Sequence, residues 1–163
     1  MSSDEHVLGP GMVPTPFSAT EIREGCPAGR TVVVRVEDDD GVRHRLSRFA
    51  RVTHEGATYE RADCDAAGVV VGEVTALPLT WLDLQAHASF PEAVTVRDAV
   101  DLEFHLGSEE CWRYTVSGED DVTTFWFSRS RAGMPVKVTS QRGAQLLSTT
   151  VMVSDRVDES LRG

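Results

Sequence analysis

The fold is decided by a run of β-branched residues and the acidic turn after it, Thr31-Val32-Val33-Val34-Arg35-Val36-Glu37-Asp38-Asp39-Asp40-Gly41. Side chains that branch at the β carbon favour extended strands, because their rotamers are restricted in a helix. The aspartates and the glycine form a polar turn, in which Gly41 can adopt a left-handed conformation. The stretch therefore predicts a β-hairpin whose second strand starts at Val42.

Segments of the same kind lie on both sides of this hairpin. Residues 42–53 and 58–64 mix apolar and polar side chains in alternation, and residues 69–75 begin with three consecutive valines. Strands resume at Thr95 and continue as hairpins toward the C-terminus. The sequence therefore predicts a mainly β protein, a single antiparallel meander of about nine or ten strands that curls into a barrel or half-barrel.

Two short helices interrupt the meander. Ser18-Ala19-Thr20-Glu21 fits a capping box, in which the serine and glutamate side chains accept hydrogen bonds from each other's backbone N–H groups, so a short N-terminal helix follows. Trp81, Leu84 and Ala88 recur at helical spacing, which predicts a second helix at about residues 80–89.

The domain organisation follows from length and composition. A chain of 163 residues has the usual size of one domain. We predict a flexible Gly- and Pro-rich arm over residues 1–16, a β-barrel-like domain over residues 17–154 and a flexible charged tail over residues 155–163.

The charge of the chain limits its partners. Twenty-six acidic residues against sixteen basic ones give a net charge of −10 at pH 7, and the basic residues form no cluster in the sequence. Such a surface repels nucleic acids and anionic membranes, so neither is an expected partner. It also disfavours anionic ligands, which leaves neutral or cationic molecules as the expected ones.

The termini and the cysteines indicate a cytoplasmic protein. The acidic N-terminus does not match a signal peptide, and no apolar run approaches the ~18 residues of a membrane span. The three cysteines, Cys26, Cys64 and Cys111, match neither the even count of a disulfide framework nor the CxxC spacing of a zinc ribbon. We therefore expect free thiols in a reducing compartment.

The hairpins between residues 100 and 128 can be aligned from their side chains. A three-residue loop at residues 107–109 and a turn at residues 118–121 give both hairpins one aromatic face. The predicted cross-strand pairs are Phe104–Trp112, Leu102–Tyr114, Glu103–Arg113, Tyr114–Phe125 and Trp112–Phe127.

This register gathers apolar side chains on one side of the sheet, and the helix at 80–89 could cover them. The predicted ligand-binding residues are Trp81, Phe90, Leu102, Phe104, Trp112, Tyr114, Phe125 and Phe127. Two interpretations stay open. The face is either the packed core, or it lines an apolar cavity in which the tyrosine hydroxyl and the indole orient a ligand.

Motifs for catalysis and for cofactor binding are missing from the sequence. It has no G-x-S-x-G elbow and no dinucleotide-binding glycine pattern. Residues 63–68 begin like a calcium loop but lack its later oxygen ligands. We therefore predict no catalytic residue, no metal site and no cofactor.

Three motifs in the C-terminal third resemble a known module. They are Cys111-Trp112-Arg113-Tyr114-Thr115-Val116, Phe125-Trp126-Phe127-Ser128 and Gly133-Met134-Pro135-Val136-Lys137-Val138. In this order, over about residues 100–153, they resemble uncharacterised bacterial β-rich proteins related to half-barrel lipoprotein carriers. The resemblance implies a curved antiparallel sheet wrapped about a helix, which binds acyl chains in the carrier members.

Three functions remain open at this point. The first is a cytoplasmic β-barrel that binds a hydrophobic small molecule. The second is a non-catalytic interaction or structural subunit with a filled barrel, which binds a protein partner or a second copy of itself. The third is a barrel enzyme for a hydrophobic substrate with Tyr114 or His87 as acid–base groups, against which the missing catalytic motifs weigh.

Overall fold

The computed structural model describes residues 4–158 of the chain. Nine strands form one antiparallel sheet, in the spatial order β4-β3-β2-β1-β9-β8-β7-β6-β5. The strands are β1 (Arg30–Asp38), β2 (Gly41–Val52), β3 (Gly56–Cys64), β4 (Thr75–Thr80), β5 (Thr95–Phe104), β6 (Gly107–Ser117), β7 (Val122–Ser128), β8 (Lys137–Arg142) and β9 (Gln145–Val157). The sheet curls without closing, so the prediction of a mainly β half-barrel is confirmed.

Two local meanders meet in the middle of this sheet. Strands β1 to β4 pair in chain order, and so do β5 to β9. β1 and β9 join the two halves, with Arg30 opposite Val157 and Asp38 opposite Ser148. Within residues 4–158, β4 and β5 each have a neighbour on one side only, so they are the edges of the sheet.

Buried ion pairs reinforce the junction of the two halves. Arg30 is 3% exposed, and its Nε and Nη2 atoms each lie 3.0 Å from a carboxylate oxygen of Asp155. Arg131 connects Asp155, at 3.1 Å, to Glu109, at 2.7 Å. Asp155, which we assigned to the tail, lies within β9. Residues 1–3 of the predicted arm and 159–163 of the predicted tail lie outside the described residues.

Both predicted helices are present, as α1 (Ala19–Gly25) and α2 (Trp81–Ala86). The capping box before α1 is confirmed, since Ser18 Oγ accepts from Glu21 N at 3.2 Å and Glu21 Oε1 accepts from Ser18 N at 2.8 Å. Thr80 and Asp83 form a second capping box before α2. Within residues 4–158, no helix is both long and apolar enough to cross a membrane.

The fourth strand lies later in the chain than predicted. Residues 69–74 form a loop with one isolated bridge, and β4 begins only at Thr75. Gly68 and Gly72 have φ angles of +83° and +101°, which bend the backbone on both sides of the valines that suggested a strand. Val69 and Val71 are exposed and do not pack against the sheet.

The predicted register of the β5–β6 hairpin is wrong. A two-residue turn, His105-Leu106, joins these strands, so Phe104 pairs with Gly107 and Trp112 pairs with Ala99. Because neighbouring residues in a strand alternate between faces, Phe104 and Leu102 lie on the opposite face from Trp112. Two-residue turns are the commonest hairpin connection, and Gly107, with φ +127°, allows this one.

The consequences of this register differ between the two sides of β6. Arg113 forms its ion pair with Asp98, at 2.5 Å, and the predicted pairs Glu103–Arg113 and Leu102–Tyr114 are absent. On the β7 side the prediction is confirmed, because Tyr114 pairs with Phe125 and Trp112 with Phe127.

Separate apolar clusters explain why one aromatic face was the wrong assumption. The first lies between the helices, the arm and the sheet, and includes Phe17, Ile22, Phe49, Trp81, Tyr114 and Phe127. The second includes Val32, Val34, Cys111, Val136 and Met152, with Leu102 and Phe104 packed against it. Both faces of the β5–β6 hairpin therefore pack against apolar residues. The assumption that all apolar side chains lie on one face does not determine the register of such a hairpin.

Candidate functional site

A cavity of about 290 Å³ lies between α2, the segment after β7 and the sheet. Its volume is close to the lower limit of roughly 300 Å³ for small-molecule pockets. Arg61 and His87 are its basic lining residues. The rest of its wall is mainly aromatic and aliphatic, formed by Phe49, Tyr59, Leu79, Leu84, Ala88, Phe125, Phe127, Gly133, Met134 and Pro135. We call it the apolar cavity.

The structure brings five of the eight predicted ligand-binding residues to this region. Phe125 and Phe127 line the apolar cavity, with ring centroids 6.3 Å apart. Tyr114 and Phe90 pack behind that wall, at 5.6 Å from Phe127 and 4.9 Å from Phe125 respectively. Trp81 anchors α2 at the other end of the same cluster.

The other three predicted residues have different surroundings, although Trp112 also touches the first cluster. Trp112 is half-buried between Arg97 and Arg129, whose guanidinium carbons are 4.3 and 4.5 Å from the ring centroid. Leu102 and Phe104 belong to the second cluster, because the observed register turns them to the other face of β5. The apolar cavity is therefore built without them.

Apart from Phe125 and Phe127, the lining residues were not among the predicted ligand-binding residues; they include Phe49, Tyr59, Leu84 and Met134. Phe49 and Tyr59 are a direct cross-strand pair of β2 and β3, with ring centroids 5.4 Å apart. The register of β2 with β3 shifts directly after Phe49, which marks a bulge. Their meeting with β7 depends on the curl of the sheet, for which the sequence has no local signal.

Helix α2 covers the cavity and is fixed on its outer side. Trp81 Nε1 donates to Thr53 O at 3.0 Å. Gln85 is 2% exposed, its Oε1 accepts from Ala19 N at 2.9 Å, and its Nε2 donates to Glu5 O at 2.8 Å. These bonds connect α2 to α1 and to the arm, so the helix is held as one side of the cavity.

The Tyr114 hydroxyl, which we expected to orient a ligand, instead forms a hydrogen bond with the arm. The Tyr114 hydroxyl donates to Pro14 O at 2.6 Å, and the tyrosine is fully buried. Burial raises the pKa of Tyr114, although the nearby Arg97 acts in the opposite direction. In this arrangement the hydroxyl is already bonded and is not available as an acid–base group.

Among residues 4–158, one group could hold a metal ion: Glu5, His6 and Glu21, whose ligand atoms lie within 4.8 Å of one another. His6 Nε2 is 2.5 Å from Glu21 Oε1, and His6 Nδ1 is 3.1 Å from Asp4 Oδ1. Burial lowers the pKa of His6, but the hydrogen bonds to Glu21 and Asp4 raise it more, so the net shift is upward. Both ring nitrogens are engaged, as in an ion-paired imidazolium.

Comparison with known proteins relates this chain to other curled antiparallel sheets. No protein-family model and no curated protein matches it. Among solved structures, MucB of Pseudomonas aeruginosa, in complex with MucA, has a TM-score of 0.55 and 9% identity, over 82% of this chain and 55% of the MucB chain. This chain therefore spans about half the length of MucB, and the likeness shows the fold alone.

Two further neighbours each have a TM-score of 0.48 and 10% identity over 80% of this chain. One is a candidate exported protein with a YmcC-like fold from Bacteroides fragilis, matched over 98% of its length. The other is a candidate lipoprotein from Parabacteroides distasonis, matched over 97%. The curled antiparallel sheet of this chain is the fold that the resemblance over residues 100–153 implied.

These two neighbours correct the predicted location. One is described as exported and the other as a lipoprotein, which contradicts our prediction of a cytoplasmic protein. The cysteine argument behind it fails for a physical reason. Cys26, Cys64 and Cys111 are all buried, and burial raises the pKa of each thiol, to about 11 for Cys111. Buried protonated thiols are unreactive, so unpaired cysteines do not report a reducing compartment.

Proposed function

We propose that the protein binds an apolar small molecule, or one apolar chain or ring of a larger ligand, in the apolar cavity, and that it does so outside the cytoplasm. The observation that supports this most is the lining itself. Aromatic and aliphatic walls with a small number of polar groups are the usual composition of a ligand pocket.

The polar lining also favours one end of such a ligand. Arg61 and His87 are both exposed, and no acidic side chain of the described residues lines the cavity. A ligand could place an acidic or hydrogen-bond-accepting group next to Arg61 and His87, whose side chains would donate hydrogen bonds to it. This local arrangement outweighs the net charge of −10, from which we expected neutral or cationic ligands.

A filling variant tests the proposal. Leu84 lines the cavity, whereas Leu82 on the same helix is 57% exposed. Leu84→Phe should weaken binding of the neutral fluorescent probe N-phenyl-1-naphthylamine by about tenfold, since the larger ring occupies the space of the ligand. Leu82→Phe is the matched control and should leave the affinity unchanged. Absence of saturable probe binding by the unmodified protein, or equal affinities of the two variants, would contradict the proposal.

A protein partner is the second candidate function. MucB is solved in complex with MucA. In the present chain β5 is an open edge of the sheet; Val96 on this strand is 66% exposed, and Val94, just before it, is 40% exposed. An added strand from another chain would cover this edge.

The first partner to test is a second copy of the chain. If β5 mediates self-association, sedimentation velocity should show a dimer that Val96→Asp dissociates and the control Val42→Asp, on the β1–β2 hairpin, does not. A monomer at all concentrations would contradict it.

A further inference from the structure

A second cavity, of about 500 Å³, lies on the other side of the sheet. It is bounded by β1, β2, β9, the loop after β3 and the turn between β5 and β6. His44 lines this cavity and Phe49 lines the apolar one. The two residues are an odd number of positions apart on β2, so their side chains lie on opposite faces. We call the second one the outer cavity.

The outer cavity concentrates positive charge in an acidic protein. Its polar side chains are those of Arg35, His44, His105, Ser154 and Arg156. Among residues 4–158, no aspartate or glutamate lines it, although the chain has 26 acidic residues. Arg35 Nη1 lies 2.9 Å from Glu37 Oε2, but that glutamate is 55% exposed, and solvent screens such a surface pair.

Three separate parts of the chain supply the cationic groups. Arg35 and His44 are a direct cross-strand pair of β1 and β2. Ser154 lies opposite Val33, and Arg156 follows two positions later on the same face of β9. His105 comes from the β5–β6 turn, which the curl of the sheet brings over these central strands.

The loop after β3 closes the outer cavity and is fixed in place. Asp65 Oδ1 accepts hydrogen bonds from Ala67 N and from Val69 N, both at 2.9 Å, so this carboxylate stabilises the loop. Gly68 has a φ of +83°, and a β carbon there would lie 3.5 Å from Val33 Cγ2. The loop therefore rests directly on the apolar floor made by Val33 and Val153.

We propose that the outer cavity binds an oxyanion of the phosphate type carried on a small organic group. Arginine forks match the paired oxygens of a phosphate, the imidazoles add donors and, when protonated, charge, and the Ser154 hydroxyl adds a further donor. The valine floor and a volume larger than a single ion leave room for the organic part. This site is independent of the function proposed for the apolar cavity.

Calorimetric titration with inorganic phosphate, at constant ionic strength, tests the anion site itself. Arg156→Gln should weaken binding by about tenfold, the loss expected for one charge-assisted contact. Arg142→Gln removes the same charge from a side chain that is 61% exposed and paired with Asp121, away from the cavity, and should change the affinity by less than about twofold. No saturable binding, or equal losses in the two variants, would overturn the proposal.

Two further measurements distinguish the source of the anion. Phenyl phosphate represents a dissolved organic phosphate, and vesicles of phosphatidylcholine with phosphatidic acid represent a lipid headgroup. Tighter binding of phenyl phosphate than of inorganic phosphate, lost in Arg156→Gln, would assign a free ligand. Co-sedimentation with the vesicles that Arg156→Gln abolishes and Arg142→Gln preserves would assign a headgroup. Leu84→Phe should leave either result unchanged, so failure here is distinct from failure at the apolar cavity.

Discussion

The apolar cavity and the outer cavity lie on opposite faces of the sheet, and β2 is the strand that contributes to both. Phe49, Phe125 and Phe127 line the first, and Arg35, His44 and Arg156 line the second. The alternation of side chains along a strand makes this separation, because His44 and Phe49 belong to one strand and point to opposite sides. In the part of the chain that the structure describes, neither cavity has an acidic lining residue, so the net charge of −10 is not the local charge of either one.

The largest expected effect is on stability: a core residue that lines the apolar cavity should contribute far more to the free energy of unfolding than a residue of the outer cavity. Phe127 is 3% exposed and belongs to the first apolar cluster. Phe127→Ala should lower the free energy of unfolding by about 3–5 kcal/mol, because it leaves a void in packed surroundings. His105→Ala in the outer cavity should change it by less than about 0.5 kcal/mol, as is usual for exposed positions. Urea denaturation measures both, and similar losses would remove the distinction.

Trp112 should have an intermediate effect. It packs against the first cluster from its edge and lies between Arg97 and Arg129. Trp112→Ala should lower the free energy of unfolding by about 2 kcal/mol, from partial burial and two cation–π contacts. A loss as large as that of Phe127→Ala would show that Trp112 is a full member of the core, as the aromatic-face interpretation required.

The bond between Tyr114 and the arm should matter less. Tyr114→Phe removes the hydroxyl that donates to Pro14 O at 2.6 Å and should lower the free energy of unfolding by about 1 kcal/mol. Because the arm lies on the side of the apolar cavity, affinity for N-phenyl-1-naphthylamine should change while phosphate binding stays the same. If phosphate binding changes equally, the two faces are coupled.

The smallest effect concerns the pH dependence of the arm contact at His6. Its pKa in the folded protein is raised, so the pairing stabilises the fold below the ordinary histidine pKa and is lost as pH rises through the folded value. The side chain is 30% exposed, and we expect about 0.5 kcal/mol. His6→Gln should lower Tm at about pH 5.5 and leave it unchanged at about pH 8.5. Equal differences at both pH values would contradict this.

Local signals predicted the parts of the fold that neighbouring residues determine. The capping box at Ser18 and Glu21, the helix after Thr80 and the β6–β7 register all depend on short-range chemistry. The β5–β6 register was wrong because a tight turn at His105-Leu106 and apolar clusters on both faces competed with the assumed loop. Gly68 and Gly72 likewise overrode the β propensity of the valines between them.

The cavities depended on information of longer range. Phe49 and Tyr59 meet Phe125 only because the whole sheet curls, and periodicity within a strand does not report that curl. His105 reaches Arg35 for the same reason. Of the predicted ligand-binding residues, Phe125 and Phe127 line the apolar cavity, whereas the contribution of β2, β3 and β4 to its walls was not predicted. Binding of a ligand by these residues stays a prediction.

The pairing of β1 with β9 has a consequence for the kinetics of folding. The hairpins of each half close short loops, whereas the β1–β9 contact must close nearly the whole domain, at a larger cost in chain entropy. This one pairing should therefore limit the folding rate. Until it forms, the two strands that end up in the middle of the sheet are unpaired edges rich in valine, including Val32, Val34, Val151 and Val153. The slowest step is thus also the one during which the chain is most open to association with other unfolded chains.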